Sequence, residues 1–246
     1  MNHVLDAISA ATDRVCHALA GTDLSAPSSL PGWSRLTIAC HLRYGAEALH
    51  RMTLDALAGQ PASYYPLGRD EQRPGTLVPR GADDDVVASL RAESDRLHEV
   101  WATVEDWSLV VREPADNADL GDVPLRRLAL ARLTEVEVHG TDLDVGLGPW
   151  SRTLVTKVLP MRLEWLNTRR SNHRAVDESI TASWLLRATD LDLSWRIDVD
   201  GARVQSAPST DERGATVVER SGADLLGMLL GRVRGPADLH AALPGP

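Results

Sequence analysis

A glutamate and a histidine four residues apart could bind one ligand together if both lie on the same face of a helix. They are Glu135 and His139, within the stretch "ARLTEVEVHGTDLDVG". Residues 135–139 alternate polar and apolar side chains, as a half-buried strand does, but a spacing of four also places two side chains on one helix face. The preceding run "LRRLALARL" favours helix by composition and makes the segment long for a strand. The sequence therefore predicts a helix that presents Glu135 and His139 on the same side.

The helix face that carries this pair changes character along its length. One row begins apolar and becomes polar, beside a stripe that is apolar throughout. The first row consists of Leu125, Leu128, Arg132, Glu135, His139 and Asp142, and the stripe of Ala129, Leu133, Val136, Gly140 and Leu143. Such a row either lines a polar cavity inside a bundle or reaches solvent, and the spacing leaves both interpretations open. In the first case Asp142 could orient a neighbouring histidine, and in the second it is a surface acid.

A metal site in a helical bundle needs a further ligand from a facing helix. His41 is the candidate, because it lies beside the apolar stripe of an earlier helix, between Ile38 and Leu42. Gly45, one turn later, leaves space next to it, although a glycine inside a helix costs ~1 kcal/mol relative to alanine. Two histidines and one glutamate suit a catalytic zinc with an open fourth position, and they also suit iron, nickel or cobalt. The spacing alone favours a solvated Glu–His pair and a core or rim histidine over a metal site.

Several helices must position these residues. Helical periodicity predicts a helix over residues 2–20, a second after the N-cap Ser34, a third from Asp83, a fourth from Pro124 and a fifth over about 152–169. The first four imply a bundle. Residues 60–81 have the composition of a long irregular loop, which in a compact domain is usually functional or disordered, and residues 108–122 are predicted as extended or looped.

The pattern changes near residue 174. Leu193, Trp195, Ile197 and Val199 alternate with polar residues before the turn dipeptide Asp200–Gly201, "ATVVER" has the composition of another strand, and Ser221 caps a short apolar helix. The predicted fold class is α+β, with a four-helix bundle in residues 1–173 and a small α+β domain in residues 174–246.

Composition limits the classes of function. The net charge of −9 argues against nucleic acid and anionic membranes as partners. The sequence has no apolar run long enough to span a membrane and no basic region typical of a secretory signal, so a cytoplasmic protein is expected. Cys16 and Cys40 are predicted to be reduced thiols, and no nucleophile elbow, P-loop or dinucleotide-binding fingerprint occurs.

Two segments resemble a known superfamily. "LPGWSRLTIACHLRYGAEAL" resembles the second-helix signature of the DinB-like metalloenzymes, in which a tryptophan near the helix start precedes a metal-binding histidine. "LTEVEVHGTDLDVG" resembles their later Glu-x-x-x-His-x-x-Asp-Leu helix. With the small α+β tail, which is similar to sterol-carrier-like folds, the order of elements resembles the mycothiol-dependent maleylpyruvate isomerase family over nearly the whole chain.

The resemblance implies a ligand set and a reaction. Zinc, or another divalent metal, would be held by His41, Glu135 and His139, and mycothiol would serve as thiol cofactor or cosubstrate. The resemblance also implies a catalytic arginine from the tail, and Arg232 in "LLGRVRG" occupies the matching position, with Arg234 as the alternative. In this family a metal-bound thiolate adds to the activated double bond of maleylpyruvate, the resulting single bond rotates, and elimination of the thiol gives fumarylpyruvate.

Two other functions fit the same resemblance. A mycothiol S-transferase, acting on another electrophile in detoxification or biosynthesis, would use identical ligands and differ only in the pocket, which residues 60–81 and the tail are expected to shape. The substrate is accordingly a small-molecule electrophile or a dicarboxylate. A non-enzymatic carrier is the third hypothesis, and the intact three-ligand set argues against it.

Overall fold

In the computed structural model of the protein, the long helices form where apolar residues recur at helical spacing. The structure describes residues 1–79, 85–113, 122–169, 179–201 and 203–242. The helices of the N-terminal part are α1 (Asn2–Ala20), α2 (Arg35–Leu57), the short α3 (Arg69–Thr76), α4 (Val86–Ala102) and α5 (Leu125–Asp142). The four long helices, α1, α2, α4 and α5, confirm the predicted helical N-terminal part.

The predicted apolar stripes form the interior of this part. Val15 on α1, Leu42 on α2, Leu90 on α4 and Leu133 on α5 each keep at most 2% of their accessible surface. Burial of one such side chain contributes roughly 1.5–3 kcal/mol. Since each stripe occupies one face of its helix, the helices pack with these apolar faces toward one another.

The helix starts agree with the predictions to within a few residues. Ser34 is the N-cap of α2, where its hydroxyl accepts a hydrogen bond from the Thr37 amide. Asp85 caps α4 in the same way, and the start predicted at Asp83 lies outside the described residues. Helix α5 begins at Leu125, with Pro124 at the N-cap instead of inside the first turn.

The segment 60–81, predicted as irregular throughout, contains α3. Gly68 precedes this helix with a φ of 88°, a conformation that glycine adopts without strain. Asp70 and Glu71 in the first turn favour a helix start. Pro74 lies inside the last part of the helix, so the loop-like composition of the segment did not prevent helix formation. In the segment 108–122, the part that the structure describes includes β1 (Val110–Val111), which pairs antiparallel with β2 (Val123–Pro124).

The C-terminal part is a helix-covered sheet. It contains α6 (Arg152–Arg169), β3 (Thr181–Ala188), β4 (Leu193–Asp200), β5 (Arg203–Pro208), β6 (Thr216–Arg220), α7 (Gly222–Leu229) and α8 (Ala237–Ala242). The strand order is β5-β4-β3-β6, with antiparallel pairing except between β3 and β6, which are parallel. Trp195, Ile197 and Val199 are buried, as their alternation predicted, and Ser221 caps α7. The α+β fold class is therefore confirmed.

The chain divides into two compact units, Met1–Ser151 and Arg152–Pro246. The boundary predicted at residues 173/174 lies outside the described residues. Helix α6, which we had assigned to the bundle, groups with the sheet instead, because it packs against β5 and α7. Asn167 also donates to the backbone carbonyl of Ser206 and accepts from its amide. Within the described ranges no helix is long and apolar enough to cross a membrane.

Candidate metal centre

Helices α2 and α5 bring His41 to the Glu135–His139 pair. Glu135 Oε2 lies 2.7 Å from His41 Nε2 and 3.3 Å from His139 Nε2. One potential ligand atom from each of the three residues lies within 4.8 Å of the others. The three residues that the sequence pointed to as ligands are thus adjacent in space, and their binding of a metal stays a prediction.

The second ring nitrogen of His139 has a carboxylate partner. Its Nδ1 lies 2.9 Å from Asp142 Oδ2, and Asp142 is 3% exposed. When the imidazole is neutral, a carboxylate that accepts from Nδ1–H leaves the lone pair on Nε2, which is the atom that faces Glu135. Of the two interpretations of Asp142, the structure supports the orienting residue and not the surface acid.

The electrostatics of the three groups are coupled. Burial raises the pKa of Glu135, but hydrogen bonds from His139 and His41 outweigh that effect and hold the pKa well below its ordinary value. Burial lowers the pKa of His139, whereas its hydrogen bonds with Asp142 and Glu135 raise it, so that the pKa is about 9. Without a metal, the site therefore holds an ionised glutamate beside a protonated histidine at neutral pH.

Glu135 is the most exposed of the three side chains. The side chain of Glu135 keeps 41% of its accessible area, against 13% for His41 and 13% for His139. Trp33, which immediately precedes the N-cap of α2, covers both imidazoles, with ring centroids 5.4 Å from His41 and 5.9 Å from His139. The histidines are therefore fixed by packing, and the carboxylate edge remains accessible to a small molecule.

Arg132 lies one turn before Glu135 and is 1% exposed. Its Nη1 donates to the Leu42 carbonyl at 2.7 Å and its Nη2 to Ser94 Oγ at 3.0 Å. Burial lowers its pKa to about 10, so the guanidinium stays charged at neutral pH. Because Arg132 contacts Leu42 on α2 and Glu135 contacts His41 on α2, the polar row of α5 faces the bundle interior, as the cavity interpretation predicted.

One residue beside the site was missed by the sequence analysis. The Tyr64 hydroxyl lies 3.0 Å from the position that a Cβ on Gly45 would occupy, and Arg132 Nη1 lies 3.4 Å from it. The space left by Gly45 is thus used by these two groups. Burial, and next the charge of Glu135, raise the pKa of Tyr64 well above its ordinary value, so its hydroxyl remains a donor. The available signal was the "SYY" run in the segment that was expected to shape the pocket.

Arg232 belongs to the second unit. It follows α7, where its backbone amide donates to the Gly227 carbonyl at 2.8 Å and its Nη1 to the Leu230 carbonyl at 2.7 Å. These contacts satisfy carbonyl groups at the end of α7. Its role at the metal centre stays a prediction.

A helical bundle that carries a His–Glu–His cluster, followed by a small α+β unit, is the arrangement that the resemblance implied. The comparisons with known proteins support it. Residues 5–144 match the family model described as the mycothiol maleylpyruvate isomerase N-terminal domain. The chain therefore belongs to this family.

Two solved structures share its fold. The crystal structure of a mycothiol-dependent maleylpyruvate isomerase has a TM-score of 0.71 and 19% sequence identity, over 100% of this chain and 96% of that chain. The crystal structure of a histidine-to-alanine mutant of such an isomerase has a TM-score of 0.68 with the same identity and coverage. A comparison with curated protein sequences gave no significant match.

Proposed function

We propose that the protein is a mycothiol-dependent metalloenzyme that isomerises maleylpyruvate to fumarylpyruvate. The observation that carries this proposal is the convergence of His41 Nε2, Glu135 Oε2 and His139 Nε2 in a member of this family. The proposed metal is a divalent ion, best matched by zinc.

The chemistry of the donor set fits such an ion. Two imidazole nitrogens and one carboxylate oxygen supply three of the four ligands that catalytic zinc takes, and the fourth position remains for a thiol, water or substrate. The Glu135 oxygen contacts both imidazole nitrogens, so the three groups are close enough to hold one ion together. The Asp142 carboxylate behind His139 is the kind of partner that metal-bound histidines have.

When bound, a divalent metal would stabilise the thiolate form of mycothiol, which is the nucleophilic form. The residues of this chain hold and screen that site. Asp142 keeps His139 in one tautomer, and Trp33 restricts the rotation of both imidazoles. Arg132 adds a buried positive charge one turn from Glu135, and this charge favours a dianionic substrate nearby.

The carboxylate groups of maleylpyruvate need a direct cationic partner as well. We propose Arg232 for this role, as a bidentate donor to one carboxylate. The test is Arg232→Ala, which should lower the turnover of maleylpyruvate and leave metal content unchanged. Arg234→Ala is the matched control, and loss of turnover only in that variant would move the role to Arg234.

The metal site is tested by elemental analysis of the purified protein, which should contain about one zinc per chain. His41→Ala should remove both metal and activity. His50→Ala makes the same change on the opposite side of the same helix, since nine residues correspond to about two and a half turns. Full metal occupancy in His41→Ala would contradict the three-ligand site.

The reaction is tested with zinc protein, mycothiol and maleylpyruvate, by following the formation of fumarylpyruvate. Capture of mycothiol by another electrophile, without isomerisation, would identify an S-transferase. Metal-free purified protein without either activity would favour a carrier. The cytoplasmic location and the lack of nucleic-acid and membrane partners stay predictions from composition.

A further inference from the structure

The tyrosines of the protein are concentrated beside the candidate metal centre. The sequence contains three, Tyr44, Tyr64 and Tyr65, and they form one cluster with ring centroids 4.9–5.7 Å apart. Tyr44 lies three residues after His41 on α2, and the other two come from the segment after α2. Tyr44 and Tyr65 are each 3% exposed, so only Tyr64 is left to meet a ligand.

The backbone of Tyr64 is held at both of its polar groups. Its carbonyl accepts from Tyr44 Oη at 2.7 Å and from Arg51 Nη2 at 3.2 Å, while its amide donates to Glu113 Oε1 at 3.2 Å. Anchoring of this kind keeps a side chain in one position without a contact from its own functional group. The hydroxyl is thus placed by the tyrosine cluster and not by a partner of its own.

The Tyr64 hydroxyl itself makes no hydrogen bond within the described residues. Tyr64 as a residue is partly exposed, whereas His41 Nδ1 and Arg132 Nε are fully buried without a partner. It lies next to Gly45, on the turn that follows His41, and close to Arg132 Nη1. A placed donor with an unused hydrogen, next to the helical turn that follows His41, is suited to bind an oxygen atom of a ligand.

We propose that Tyr64 is a further catalytic residue, whose hydroxyl donates a hydrogen bond to a carboxylate or enolate oxygen of the molecule bound beside His41, Glu135 and His139. This inference rests on the proposed function, because it requires a ligand at that centre. Addition of a nucleophile to the double bond moves the electron pair of that bond onto the conjugated carbonyl oxygen. The Tyr64 proton stays on the phenol and stabilises that oxygen. The pair returns when the nucleophile leaves, so no proton or oxidant is consumed.

The first test uses binding and not turnover. Cobalt-substituted protein is titrated with acetate, and the visible spectrum of the metal reports occupancy. Tyr64→Phe should bind acetate about tenfold more weakly, as expected for loss of one hydrogen bond to a charged group. Tyr65→Phe removes a neighbouring hydroxyl from the same cluster and should bind acetate like the wild type. Equal acetate affinity in the two variants would overturn the proposal, as would wild-type protein that binds no acetate.

A second variant keeps the Tyr64 hydroxyl but changes its position, and so tests whether the position matters. Gly45→Ala places a methyl group 3.0 Å from the Tyr64 oxygen, which must shift by a few tenths of an ångström. This variant should keep its metal and bind acetate more weakly than the wild type. If either variant loses its metal or its fold, the hydroxyl has a structural role and the proposal is wrong.

Kinetics extend the test if the wild type turns over maleylpyruvate. Tyr64→Phe should then lower kcat by about a hundredfold, with a smaller change in KM, because the hydrogen bond strengthens as charge develops on the oxygen. A wild-type protein that binds acetate through Tyr64 but does not turn over maleylpyruvate would contradict the proposed reaction and leave the role of Tyr64 supported.

Discussion

Replacing Asp142 by asparagine should weaken metal binding and leave the helices intact. Asp142 is 3% exposed, and its Oδ2 lies 2.9 Å from His139 Nδ1. An asparagine oxygen can still accept that hydrogen bond, so the substitution removes the charge and very little volume. The imidazole then becomes a poorer donor to a metal at Nε2, because the carboxylate no longer increases its basicity.

The size of the effect depends on two opposing contributions. Loss of such a partner typically costs about 10–100-fold in metal affinity, or roughly 1.4–2.8 kcal/mol. However, the pKa of His139 is about 9, so at neutral pH a metal must first displace a proton. That displacement costs roughly 2.7 kcal/mol about two pH units below the pKa. The variant has a lower histidine pKa and a smaller proton cost, so its deficit should be small near pH 7 and grow toward pH 9.

The assay is competition for zinc between the protein and a chromophoric chelator, from about pH 6.5 to about pH 9. Asp144→Asn is the matched control, since it makes the same change two residues later at an exposed position. Its backbone has a φ of 54°, which asparagine tolerates. Equal zinc affinities of the two variants near pH 9 would refute the orienting role of Asp142.

Two further predictions concern stability. Without metal, the free energy of unfolding should decrease by roughly 3 kcal/mol as the pH rises from about 6.5 to about 9. The reason is that folding raises the pKa of His139 to about 9, and the protonated form is lost across that range. Urea unfolding at several pH values measures this, and a free energy that does not change with pH would contradict it. Thr53→Val should lower the free energy of unfolding by about 1–3 kcal/mol, because Trp101 Nε1 donates to Thr53 Oγ1 at 2.9 Å in the core. Unfolding curves at constant zinc content measure this loss. Unchanged stability would show that the tryptophan finds another acceptor.

Much of the fold could be predicted because it depends on local periodicity. The helical stripes that contain Leu42 and Leu133 and the alternation at Trp195 and Ile197 are each visible within a short window, and the structure buries them as expected. Helix α3 was missed because Pro74 and its neighbouring glycine favour a loop locally. The parallel pairing of β3 with β6 could not be predicted, since nothing within either strand specifies a partner distant in sequence.

In the candidate site, too, some features follow from the local sequence and others only from tertiary packing. The sequence by itself determined that Glu135 and His139 share a helix face, because a spacing of four does so on any α-helix. Only the tertiary structure decided that His41, 94 residues before Glu135, lies 2.7 Å from its carboxylate, that Asp142 is buried against His139, and that Tyr64 fills the space beside Gly45. These contacts depend on how two helices and a loop pack around a shared core. Packing of that kind is a property of the whole unit, and no short segment contains it.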